Sequence, residues 1–153
     1  MEKIAKEEFQ LIGLGLAKKT SNEARQSSID CGNLWEKFEK EGFVQRIPGL
    51  VSNAVYAVYF DYDGDHSKLF YYFIGCKVEP GTRVPEDMQS LIIPSQNYSR
   101  VIARGKMPDC LTESWSKIWT SQIDRAYQFD FEIYDDRSHD WDDAEVEIFV
   151  SSN

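Results

Sequence analysis

The stretch Asp30-Cys-Gly-Asn-Leu-Trp-Glu-Lys-Phe38 (DCGNLWEKF) sets Cys31, Leu34, Trp35 and Phe38 at i, i+3, i+4 and i+7. That spacing is one apolar stripe along a helix. Asp30 is the expected N-cap, and Gly42 closes the helix. Upstream, Glu8 to Leu16 (EFQLIGLGL) reads as a strand, and the polar Lys18 to Ser28 as a loop. Downstream, Pro48-Gly49 marks a turn. Asn53 to Phe60 (NAVYAVYF) and Leu69 to Val78 (LFYYFIGCKV) are Val- and Tyr-rich strands around an acidic turn, Asp61 to Lys68. Together they make a hairpin.

The order then begins again. Ser90 to Ile93 and Tyr98 to Arg104 read as strand. Leu111, Trp115, Ile118, Trp119 and Gln122 form a second helix face, with Asp109 or Thr112 as N-cap. Tyr127 to Asp135 and Ala144 to Val150 are strands flanking another acidic turn. Leu34-Trp35 matches Ile118-Trp119, and Cys31 falls where Trp115 does. A unit that cannot bury its own apolar face, present twice, predicts two units packed together. The expectation is one α+β domain over 1–153, with a first repeat about 6–78, a linker about 79–90 and a second repeat about 91–150.

Composition narrows the function. The 153 residues include 42% apolar and 14% aromatic ones, enough for a sizeable core. The net charge is −9, from 26 acidic and 17 basic residues, with no clustered Lys/Arg face. Direct nucleic-acid binding is therefore not expected, because its affinity comes largely from neutralising phosphates. No stretch approaches transmembrane length, and the charged start MEKIAKEEFQ is unlike a signal peptide. The expected location is the cytoplasm, away from membranes. Cys31, Cys76 and Cys110 form no CxxC pair and read as small buried hydrophobes.

Neither a cofactor nor a metal is expected. Taking Asp61 as the first position of a calcium loop puts Gly64 and Tyr72 at the wrong places. His66 and His139 have no partner at metal-ligand spacing and read as surface histidines. Gly13-Leu-Gly15 is only a GxG and supports no dinucleotide site.

The aromatic inventory carries more. Trp35, Trp115 and Trp119 fall on helix faces directed at the sheet, and the strands add Tyr56, Tyr59, Tyr71, Tyr72, Phe73 and Tyr134. Buried Trp and Tyr need partners for their N–H and O–H groups, so they suit cavity walls as well as a core. Glu132 lies in Phe129-Asp-Phe-Glu-Ile-Tyr134 (FDFEIY). Strand alternation puts Phe129, Phe131 and Ile133 on one face, and Asp130, Glu132 and Tyr134 on the other. Alternation alone leaves that second face open to either reading, solvent or cavity.

From about Phe9 to Val150 the chain resembles the GyrI-like small-molecule-binding domain, the bacterial transcription-activator effector-binding domain. The resembling stretches are the Leu34-Trp35 and Ile118-Trp119 helices, FYYFIGCKV, and Ile93-Pro-Ser-Gln-Asn-Tyr98-Ser-Arg-Val-Ile-Ala-Arg-Gly105. The Phe131-Glu-Ile-Tyr134 and Glu145-Val-Glu-Ile148 strands complete the set. The resemblance implies a pseudo-dyad, one antiparallel sheet, two helices on one face and a pocket between them for bulky lipophilic cations. It gives Glu132 the role of the acid facing the ligand, Trp35 and Trp119 the walls, and Tyr134, Tyr56, Tyr71 and Trp115 supporting places. The chain departs from the family pattern at its end, Phe149-Val-Ser-Ser-Asn, where an Ile-Pro-Ile type ending is usual. The first strand leaves no room before it for a helix-turn-helix, so a stand-alone bacterial sensor or sequestering protein is expected. Two alternatives accompany it. One is a hydrolase of electrophilic small molecules, with Glu132 as general base and Tyr134 or Tyr71 as donor. The other is an interaction protein that meets a regulator or gyrase through its acidic loops.

Overall fold

The Val- and Tyr-rich stretch over 53–60 forms a strand at the centre of the sheet. The computed structural model describes residues 2–153. In chain order the elements are β1 (Glu2–Lys6), β2 (Phe9–Gly15), α1 (Gln26–Lys40), α2 (Phe43–Arg46), β3 (Leu50–Phe60) and β4 (Tyr71–Val78). They continue as β5 (Gln89–Ile93), β6 (Gln96–Gly105), α3 (Asp109–Trp119), β7 (Asp130–Tyr134) and β8 (Ala144–Ser151). The eight strands make one sheet in the order β1-β6-β8-β7-β3-β4-β2-β5, every pair antiparallel.

That order reads the same in both directions from the β7–β3 contact: third strands outside second, first strands outside those. This is the pseudo-dyad of the repeated unit. At the outer edges the halves exchange strands. β1 precedes β2 but pairs with β6, and β5 precedes β6 but pairs with β2.

The exchange fixes the curvature. In a flat sheet β1 and β2 would be six spacings apart, about 29 Å. Only Glu7 and Glu8 join them, and three Cα steps reach roughly 11 Å. The sheet therefore curls until its ends meet, where Glu8 N donates to Ser95 Oγ at 3.1 Å. Leu11, Val58, Phe73, Ile93, Tyr98, Phe131 and Phe149 fill the inside of the curl. The helices take the other face. α1 lays Phe38 on Ile12, Ile74 and Cys76, while α3 lays Cys110 and Ile118 on Ala103, Val146 and Ile148. The middle of the sheet, β3 and β7, lies between the two helices.

Local details differ from the sequence expectations. α1 starts at Gln26, so Asp30 is not its N-cap; its carboxylate accepts instead from Thr20 Oγ1 at 2.6 Å and Gln26 Nε2 at 3.0 Å. α3 likewise starts without a side-chain cap, with Pro108 before Asp109. A third, short helix follows Gly42, whose φ of 62° turns the chain so that Phe43 stacks on Phe38. β7 is shorter at its start than the apolar run, which is broken by Tyr127 at φ 52°. The Gly13-Leu-Gly15 pattern is a packing feature: Gly13 pairs with Gly75 of β4, and a side chain there would meet the Ile74 carbonyl. In the acidic turn, Asp61 and Asp63 hold Lys19 at 3.6 and 2.6 Å.

Candidate functional site

Alternation along β3 and β7 turns Val55, Ala57, Tyr59, Glu132 and Tyr134 toward the helices, with Ala57 and Glu132 paired directly across the strands. Alanine at that register leaves space above the carboxylate. The space opens into a cavity of about 970 Å³ between α1 and α3, within the range of small-molecule sites. Trp35 and Cys31 of α1 form one wall; Leu111, Trp115 and Trp119 of α3 form the other.

Glu132 has no exposed surface. Its Oε2 accepts from Trp115 Nε1 at 2.6 Å and Tyr59 OH at 2.9 Å, and its Oε1 from Tyr134 OH at 2.7 Å. Burial pushes the carboxyl above the usual carboxylate range, and the three hydrogen bonds pull it back. Among the described residues no Lys, Arg or His nitrogen lies within ion-pairing distance of it. The donors are themselves anchored. Trp35 Nε1 donates to Tyr72 OH at 2.7 Å, and the Tyr59 ring lies 5.0 Å from Tyr72 and 5.3 Å from Trp115. Trp35 meets Tyr134 edge-on at 5.0 Å. Burial and the adjacent Glu132 hold the Tyr59, Tyr72 and Tyr134 hydroxyls well above the phenol range, so they stay donors. The same two causes push the Cys31 thiol far up, which suits a wall and not a nucleophile.

Five of the residues singled out from sequence, Glu132, Trp35, Trp115, Trp119 and Tyr134, lie together on this cavity. Tyr56 and Tyr71 do not. Their side chains point into the opposite face: Tyr56 packs at 5.6 Å on Phe9 and 5.5 Å on Phe131, and Tyr71 stacks on Phe60. Their next-but-two and next neighbours, Tyr59 and Tyr72, are the tyrosines of the cavity. Both faces of β3 and β4 are apolar, so alternation sorts residues into two sets without saying which set faces the helices. His66, expected from sequence to be a surface histidine, is half-buried: it stacks on Trp119 at 4.9 Å and 8° and borders the cavity. Arg125, Tyr62 and the exposed Trp141 also border it without having been singled out. The rim is acidic, with Glu36, Glu39, Asp135 and Asp136.

The sequence profile of the integron-associated effector binding proteins, Cass2, matches residues 4–151. The chain belongs to that family. YobU of Bacillus subtilis strain 168, provisionally named a transcriptional regulator, is 25% identical over 146 residues, covering 90% of this chain and 89% of that one. The integron cassette protein Cass2 from the mobile metagenome of Vibrio cholerae is a family structure with TM-score 0.72 and 25% identity, covering 99% of this chain and 95% of that one. SAV2435, solved bound to tetraphenylphosphonium, has the same fold, with TM-score 0.78 at 13% identity over 99% of this chain and 93% of that one. The single antiparallel sheet of eight strands with its helices is thus the family's GyrI-like fold. Among the described residues no helix is long and apolar enough to cross a membrane.

Proposed function

We propose that this protein captures lipophilic organic cations in the cavity between α1 and α3, with Glu132 as the counter-charge, and acts in the cytoplasm as a sensor or sequestering protein. The observation that carries the reading is the state of Glu132: fully buried, oriented by three donors, and, among the described residues, without a cationic side chain against it. A buried carboxylate without a counter-ion is costly, and a ligand cation would remove that cost. At about 4 Å and an effective dielectric of 20 the pair is worth roughly 4 kcal/mol. Each indole or phenol face presented to the cation adds about 0.5–2 kcal/mol. The acidic rim favours the same sign of ligand, since it raises the local concentration of cations at the mouth. Membership of an effector-binding family agrees with this, and so does the tetraphenylphosphonium, itself a lipophilic cation, held by the similarly folded SAV2435.

Tryptophan fluorescence tests it. Trp35, Trp115 and Trp119 all border the cavity, so titration with ethidium should quench emission in a saturable way at tens of micromolar or below. A linear, non-saturating response would overturn the reading.

A further inference from the structure

The pseudo-dyad relates the two hairpin turns, 61–70 after β3 and 135–143 after β7. β3 and β7 are antiparallel, with Tyr59 beside Asp130 at one end of the pair and Val55 beside Tyr134 at the other. The two turns therefore stand at opposite ends of the cavity, and both border it. They are finished differently. At the first end the turn is joined to α3, because the His66 imidazole lies flat on Trp119 at 4.9 Å. Asn22 Nδ2 donates to the His66 carbonyl at 2.9 Å, and Tyr62 OH donates to Asp130 Oδ2 at 2.6 Å. At the second end the matching contact would join the 135–143 turn to α1. Among the described residues no hydrogen bond, ion pair or ring contact does so. On that open side stands Trp141, which borders the cavity and is 60% exposed. Its backbone is fixed, since Met107 N donates to its carbonyl at 2.7 Å. Its ring, unlike that of Trp119, has no aromatic ring stacked on it among the described residues. A single exposed indole is ordinary on a protein surface; this one is held at the mouth of a cavity with a buried carboxylate at its floor.

We infer that Trp141 is a ligand-contacting residue: the cation enters between α1 and the 135–143 turn, and a flat aromatic part of it stacks on the Trp141 indole. This rests on the cation-capture reading and adds a ligand class to it, cations built on an extended fused-ring plane. Such a plane gains from offset stacking on an indole. Where its positive charge is spread over the rings, the indole face attracts it further. The carboxylates of Glu36, Glu39, Asp135 and Asp136 border the same cavity and favour the same sign of charge. A compact cation can sit against Glu132 without touching Trp141, so the outer indole selects for shape while the inner carboxylate selects for charge.

The experiment compares two cations by calorimetric titration: ethidium, which has a fused planar ring system, and tetraphenylphosphonium, whose four phenyl rings are splayed about phosphorus. Trp141→Ala should weaken ethidium about fivefold, the loss expected for one aromatic stack, and leave tetraphenylphosphonium within about twofold. Trp141→Leu keeps an apolar side chain without a ring and should weaken ethidium to a similar extent. Because the indole is mostly exposed, both variants should melt as the wild type does. Equal effects on the two cations, no effect on ethidium, or full ethidium affinity in Trp141→Leu would overturn the outer stack while leaving cation capture intact. Failure of both cations to bind the unaltered protein overturns the cation reading, and the stack with it.

Discussion

Phe131 and Glu132 are neighbours on β7, neither has any exposed surface, and they point to opposite sides of the sheet. Phe131 meets Tyr98 at 5.2 Å, Phe149 at 5.0 Å and Phe9 at 5.6 Å, inside a curl closed by two-residue links. Glu132 meets three hydrogen-bond donors at the floor of a cavity. Burial therefore does not separate core from site here; what separates them is how each buried group is satisfied. The inner face is finished by apolar contact. The outer face holds an acid that three donors orient and that no cation among the described residues pairs with.

The comparison breaks most readily at Phe131. Phe131→Ala should cost about 3–5 kcal/mol in urea unfolding, as for a large core truncation. A loss below about 1 kcal/mol would mean that the curl is not closed by that cluster. The cavity side responds differently. Trp115→Phe keeps the ring wall but removes one donor from the carboxylate. A cost near 1–2 kcal/mol in stability is expected, with the Glu132 carboxyl pushed still further up because a hydrogen bond to its charged form is gone. An NMR titration of the side-chain carboxyl checks the direction, and a downward move would contradict the assignment.

Glu132→Gln is expected to change stability less, and with a sign that depends on pH. The folded-state carboxyl is raised above its unfolded value, so the proton binds more tightly in the folded protein. Its stabilising contribution is fully present below the unfolded carboxylate pKa and is lost as pH rises through the raised folded value. Glutamine can accept from Trp115 and Tyr59 through its oxygen and donate to the Tyr134 oxygen. Melting temperatures should therefore favour the wild type in acid and converge with, or fall below, those of the variant at neutral pH. An advantage of the wild type that grows with pH would contradict the linkage. Smallest of all is the tyrosine pair. Tyr59→Phe should weaken cation binding because it removes a donor from Glu132, whereas Tyr56→Phe, on the inner face, should leave affinity unchanged within about 0.5 kcal/mol.

Much of this was legible in the chain itself. The helical stripes at Cys31 to Phe38 and Leu111 to Trp119, the two hairpins and the repeat order gave the α+β architecture. The FDFEIY alternation put Glu132 on a face it left open to solvent or cavity, and the family resemblance gave that residue its ligand-facing role. What could not be read was parity on strands buried on both sides, which is why Tyr56 and Tyr71 were singled out in place of Tyr59 and Tyr72. The strand exchange also left no local signal: Glu2–Lys6 (EKIAK) is polar and mostly exposed, and its pairing with β6 is set by partners some ninety residues away. Arg125 carries no motif, and its place on the cavity follows from an ion pair with Asp130 that only the folded chain brings into view.

The central claim is that a lone buried carboxylate supplies the counter-charge for a ligand cation. Calorimetric titration of tetraphenylphosphonium into the wild type and Glu132→Gln at neutral pH tests it most directly. Saturable binding to the wild type and at least tenfold weaker binding to the folded variant is the expected result; equal affinities, or no saturable binding to the wild type, would contradict it.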